Sequence, residues 1–203
     1  LTFGAASQVN AASVIASTLD ITDANFLADT LQFDRGTATG TINNQGILLA
    51  NEGNTYVFAS NINNSGTIRA KAGNVNIANG NRLTVNSSAG TATLNQVSGI
   101  AGVITSTGIL RGDRLTTTDK GKIYLIGDRA RTGSVVNLAG EITSTGNDIK
   151  GKTINVTGDT VVNASTNLNA INSININGAL SVSGNNRLIS LTHGTTGTDG
   201  LSF

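Results

Sequence analysis

Arg111-Gly112-Asp113 is the stretch whose residue types and spacing most directly suggest recognition chemistry. A guanidinium and a carboxylate flanking glycine on a protruding loop can bridge an integrin's acidic pocket and its bound metal. The tripeptide opens the clearest insertion in an otherwise repetitive chain, and binding residues favour loops held by a rigid scaffold. Arg114, Arg129 and Arg131 follow, forming with Arg111 a candidate basic patch for sulfated glycans through charge-assisted guanidinium pairing. Asp113, Asp119 and Asp128 interleave with these arginines and neutralise them.

The remaining reactive residues are sparse. Asp20 and Asp23 offer too few oxygens for calcium, which takes six to eight, so helix capping is the expected duty there. His193 is the single histidine, with no cysteine to complete a metal site, and is expected at the surface. Asn63, Asn86, Asn155 and Asn163 each begin an Asn-x-Ser/Thr sequon and are candidate glycosylation sites. The alternative is a turn or ladder role for such asparagines.

What must position these groups is a repeat. Ile42-Asn43-Asn44-Gln45-Gly46 recurs as Ile62-Asn63-Asn64-Ser65-Gly66, with Ala50 matching Ala70, Gly53-Asn54 matching Gly73-Asn74 and Val57 matching Ile77. A period near twenty fits one turn of a solenoid. Leu48/Ile68, Ala50/Ala70, Thr55/Val75 and Val57/Ile77 fall at every second position, the period of strands with one face in a core. The expected fold is all-β: a right-handed parallel β-helix of nine or so coils, preceded by a less regular segment. Residues 1–203 read as one domain.

A third copy runs from Ile104-Thr105-Ser106-Thr107-Gly108 through Leu110 to Ile123 and Leu125, with an insertion of about six residues near Arg111 to Lys120. Ile142-Thr143-Ser144-Thr145-Gly146 reads as the start of a fourth. Gly46, Gly66, Gly108 and Gly146 are assigned to sharp turns through glycine's freedom at positive φ. The asparagines beside them are assigned to turns and amide ladders. In residues 1–35, Thr22 or Asp23 would cap a single helical turn, and Phe26, Leu31 and Phe33 would cover the end or side of the stack.

Composition narrows the function classes. Charged residues are 12%, about half the usual share, and the net charge is +1, so nucleic acid is not expected as a partner. No apolar run approaches the ~20 residues of a membrane-spanning helix, so membrane insertion is not expected. Proline and cysteine are both absent. The first suits strands that all donate to ladders, and the second removes disulfides and thiolate chemistry. Polysaccharide-degrading enzymes on this fold need clustered carboxylates, or a base beside calcium, in an aromatic-lined groove. With aromatics at 3%, the expectation is a non-catalytic protein without a cofactor. Thr105/Thr107 and Thr143/Thr145 hint at an ice-binding array, but coils two and five break it.

Ala16-Ser17-Thr18-Leu19-Asp20-Ile21 with Asn25-Phe26-Leu27, followed by the Ile-Asn-Asn-x-Gly units, resembles the secretion domain of two-partner-secretion exoproteins, the filamentous-haemagglutinin-like and high-molecular-weight adhesins of Gram-negative bacteria. Residues 1–90 resemble the later part of that domain, and residues 91–203 read as continuing coils. The family's Asn-Pro-Asn motifs have no counterpart in this proline-free chain, which begins at Leu1 and reads as a piece of a longer one.

The resemblance implies a secreted or cell-surface protein exported through a cognate outer-membrane β-barrel transporter, whose periplasmic modules bind by adding a strand. It also implies attachment to a host-cell receptor or glycan, by a fragment that is itself monomeric. Within the family, the alternatives are the stalk of a contact-dependent toxin or haemolysin.

Overall fold

Alternating β-branched residues repeated every twenty positions force a chain to coil and stack, because each coil buries one row of side chains only when another coil lies against it. The computed structural model describes residues 1–86, 91–94, 102–113, 122–127, 135–183, 187–193 and 201–202. The first coil comprises β1 (Thr2–Phe3), β2 (Gln8–Ala11) and β3 (Val14–Ser17). The chain then leaves the stack through α1 (Asp23–Leu27) and β4 (Gln32–Asp34). Coil two is β5 (Thr41–Asn44), β6 (Ile47–Ala50) and β7 (Thr55–Phe58). Coil three is β8 (Asn61–Asn64), β9 (Thr67–Ala70) and β10 (Val75–Ala78).

A second departure carries β11 (Arg82–Asn86) and β12 (Thr91–Leu94). Coil four returns as β13 (Val103–Ser106), β14 (Ile109–Gly112) and β15 (Lys122–Ile126). Strands then run through the corners as β16 (Val135–Thr143), β17 (Gly146–Val162) and β18 (Thr166–Ile176). The last strands are β19 (Leu180–Val182), β20 (Ile189–His193) and β21 (Leu201–Ser202).

Every pairing between coils is parallel, which makes the fold the expected parallel β-helix, of the right-handed sense that parallel crossovers follow. The register keeps like on like around three faces. On the first, Ile42, Ile62, Ile104, Val136, Ile154 and Ile174 stack along the axis. On the second, the column is Val9, Leu48, Ile68, Leu110, Ile142, Val162 and Val182. On the third it is Ala16, Val57, Ile77, Leu125, Ile149, Leu168 and Leu191.

Among the described residues the stack has seven coils, with β21 starting an eighth, or roughly 30–35 Å at ~4.8 Å per coil. Nine coils were expected. The difference is the chain diverted into the excursions.

The first excursions build a second layer. β4, β11 and β12 form an antiparallel sheet, with Phe33 opposite Leu83 and Val85 opposite Ala92. This sheet lies against the outward side of the third face in the early coils. Leu19, Phe33, Tyr56, Phe58, Ala78, Leu83 and Val85 are buried together there. Phe58 is completely enclosed, and its ring meets that of Phe33 edge-on at 5.5 Å. Phe33 and Leu31 therefore cover the side of the stack, whereas Phe26 on α1 remains exposed. Thr22 caps α1, its hydroxyl accepting from the Asn25 amide at 3.2 Å.

Two readings of the repeat are corrected. Ile142 pairs with Leu110, not Ile104, whose partner is Val136. The Ile-Thr-Ser-Thr-Gly string at 142–146 therefore belongs to the second face, out of register with 104–108. The turn glycines also act differently than expected. Gly36 and Gly140 have positive φ; Gly46, Gly66 and Gly108 do not. At Gly66 and Gly108 the constraint is close approach, because a Cβ would strike the backbone of the preceding coil. Gly140 extends that column, whereas a Cβ on Gly146 would meet open space.

Candidate functional site

The Arg-Gly-Asp tripeptide lies mostly inside a strand. β14 continues through Gly112, which pairs with Ala70 at a buried inward position. Arg111 points outward above Arg69 in the same register. Asp113, the first residue after the strand, accepts from Arg111 Nε at 2.7 Å and from Arg69 Nε at 2.7 Å. Partial burial pushes the Asp113 carboxyl upward. Hydrogen bonds from Arg111 and Arg69, reinforced by their charges, outweigh that and hold it below the ordinary carboxylate range. Arg111 is correspondingly raised, chiefly by its hydrogen bond to Asp113.

The insertion follows directly. Gly112 pairs with Ala70 and Ile123 with Val75, so eleven positions replace five, an insertion of six residues. Arg114, Arg129 and Arg131 lie outside the described residues, as do Asp119 and Asp128.

Asn63 and Asn155 sit in the outward amide ladder of the first face. Asn63 donates to Asn43 at 2.9 Å, Asn155 to Asn137 at 2.9 Å and Asn175 to Asn155 at 2.8 Å. Both sequon amides are thus engaged along the stack. A second ladder runs inward, where Asn44 donates to Asn64 at 2.8 Å and Asn64 to the Ser106 hydroxyl at 3.2 Å. Asn163 lies at a corner and accepts from the Ser144 amide at 2.7 Å. Asn86 is exposed at the end of β11.

Asp20 accepts from the Ile21 amide, and its backbone bridges Asp34. Asp23 occupies the first turn of α1. Among the described residues no cluster of three or more His, Asp or Glu could hold a metal ion. His193 closes β20, opposite Ala170.

One feature escaped sequence reasoning. The outward row of the third face reads Ile15, Tyr56, Asn76, Tyr124, Asp148, Asn167 and Ser190, one residue per coil. The antiparallel sheet buries Tyr56 and Asn76. From coil four onward the row opens into a groove of about 400 Å³, lined by Lys122, Tyr124, Asp148, Asn167, Leu188 and Ser190 among others. Lys150 pairs with Asp148 at 2.7 Å, and Asn167 donates to the same carboxylate at 3.3 Å. Partial burial raises the Tyr124 hydroxyl, with the Asp148 charge adding to it. The aligned strand containing Tyr124 was the available signal. The row became legible only once the side sheet showed where its cover ends.

No family model matches this chain, and no curated protein matches it. The architecture defines a parallel β-helix flanked by a small antiparallel sheet. It is similar to a solved structure, the secretion domain of HMW1 from Haemophilus influenzae, with a TM-score of 0.60 and 17% sequence identity, over 90% of this chain and 62% of that one. At that identity the likeness establishes the fold, and this chain spans about three-fifths of the length of the structure it matches.

Proposed function

We propose that this chain is the secretion-domain and shaft-proximal part of a large exported bacterial surface protein. It is non-catalytic, delivered through an outer-membrane β-barrel partner, and presented for attachment to a host cell or surface. The observation that carries this reading is the match of nine-tenths of the chain to a secretion-domain fold. The resemblance of the Ala16-Ser17-Thr18-Leu19-Asp20-Ile21 string to the secretion domain of two-partner-secretion exoproteins supports it from the sequence.

The first coil also suits a strand-adding partner. Among the described residues, β1, β2 and β3 pair only with β5, β6 and β7, leaving their other edge available. The non-catalytic reading is supported by the sparseness of charged residues (12%) and aromatics (3%), which a saccharide-cleaving groove would need.

The test is to dilute the unfolded chain from denaturant into the soluble periplasmic modules of the accompanying barrel. The modules are expected to co-elute with the chain and to slow its refolding. Unchanged refolding with no co-elution would refute the partner assignment. Incubation of the folded chain with polysaccharides should release no reducing ends, and release that an Asp148→Asn exchange abolishes would overturn the non-catalytic reading.

A further inference from the structure

We infer that the groove on the third face is a binding site for a neutral, extended oligosaccharide, lying along the axis with one sugar face against Tyr124. This assignment stands apart from the export reading and needs no transporter.

The groove's chemistry carries it. Tyr124 presents a partly buried ring edge to the groove, an amphipathic surface suited to the C–H face of a pyranose. Above it in register, Asp148, Asn167 and Ser190 supply a carboxylate, an amide and a hydroxyl, one per coil at ~4.8 Å spacing. Such groups hydrogen-bond vicinal hydroxyls in both donor and acceptor senses. A β-linked chain advances by about one coil per sugar, so successive residues would meet successive rungs.

The groove's volume, about 400 Å³, lies in the range of small-ligand sites. Its charge argues for a neutral occupant. Among the described residues of the lining Lys122 is the one cation, and Lys150 neutralises Asp148, so the field they make is too weak to concentrate an anion.

The neighbouring outward row changes character along the axis, one coil beyond the start of the groove. Tyr56, Phe58 and Ala78 face outward in coils two and three and are buried under the side sheet. At the positions aligned with Phe58 and Ala78, coils five and six carry Lys150 and Asn169. Along that row apolar Phe58, Ala78 and Ile126 give way to Lys150 and Asn169 beyond the side sheet.

The experiment titrates the folded chain with cellotetraose, maltotetraose and a heparin-derived tetrasaccharide, following Tyr124 ring and Asn167 side-chain signals by NMR. Cellotetraose is expected to shift both, with maltotetraose at least fivefold weaker. Tyr124→Ala should weaken binding at least tenfold, whereas Tyr124→Phe, which keeps the ring, should bind within threefold of the parent. Asp148→Asn provides a second variant should Tyr124→Ala fail to fold, and it should weaken binding at least threefold. No shift with cellotetraose, shifts with the heparin fragment alone, or cellotetraose binding unaffected by both Tyr124→Ala and Asp148→Asn would each overturn the inference.

Discussion

Replacing Phe58 by alanine separates the two layers of this protein and measures what joins them. The ring is completely enclosed between coil two and the antiparallel sheet, with Phe33 edge-on at 5.5 Å and Tyr56 at 5.9 Å. Truncating a buried Phe costs about 3–5 kcal/mol, and each aromatic contact adds about 0.5–1.5 kcal/mol to the area it buries. The axial core is built by different residues, so the loss falls on one layer. In a stack whose coils contact only neighbours, such damage stays local.

A loss of about 3 kcal/mol accelerates amide exchange through local opening by roughly a hundredfold, since each 1.4 kcal/mol is tenfold. Hydrogen-exchange mass spectrometry should therefore show Gln32–Asp34 and Arg82–Asn86 exchanging about a hundredfold faster or more. Residues 146–176 should change less than threefold. Equal acceleration throughout, or none in β4 and β11, would refute the two-layer account.

Other expectations follow from named contacts. Gly108→Ala forces a Cβ against the Gly66 carbonyl and strains the Ile109-to-Gly66 hydrogen bond of 2.9 Å, so denaturant unfolding should show a loss of about 1–3 kcal/mol. Gly146→Ala, opening onto free space, should stay within about 0.5 kcal/mol. Burial pushes the Tyr56 hydroxyl up to about 12, with the Asn54 side chain pulling the other way. The folded state therefore holds this proton longer than the unfolded one, so the contribution is intact below about pH 10 and lost as pH rises toward 12. Tyr56→Phe should flatten that alkaline limb in a pH series of melting temperatures.

The depressed Asp113 carboxyl works at the other end of the scale. Its contribution is present above about pH 4 and lost as pH falls through its lowered folded value. Because the pair is largely solvent-screened, Asp113→Asn should cost about 1 kcal/mol or less at pH 7, and less still at pH 3.

The coils were legible because each inward column stacks like on like, so Ile42, Ile62 and Ile104 announce the register in the residues themselves. The antiparallel sheet was not, because β4 pairs with β11 about fifty positions away and neither repeats anything. The hydrophobic alternation in Leu83 and Val85 is what a coil strand would also show. Only the demand that Tyr56 and Phe58 be covered distinguishes the two.

The Arg-Gly-Asp stretch reads as a loop from composition, yet the ladder absorbs Gly112 because a glycine fits the column of Ala50 and Ala70. The groove was hidden for a related reason. Tyr124, Asp148, Asn167 and Ser190 are spaced irregularly along the chain and meet only through the register.

The central claim, that this is an export module served by a barrel, is tested most directly in the native host. The host's outer-membrane β-barrel transporter genes should be deleted one at a time, and the chain then followed by surface proteolysis and immunodetection in separated compartments. The account predicts that one deletion removes the chain from the surface and medium, restored when that barrel is supplied in trans. Unchanged surface display in every deletion strain would contradict it.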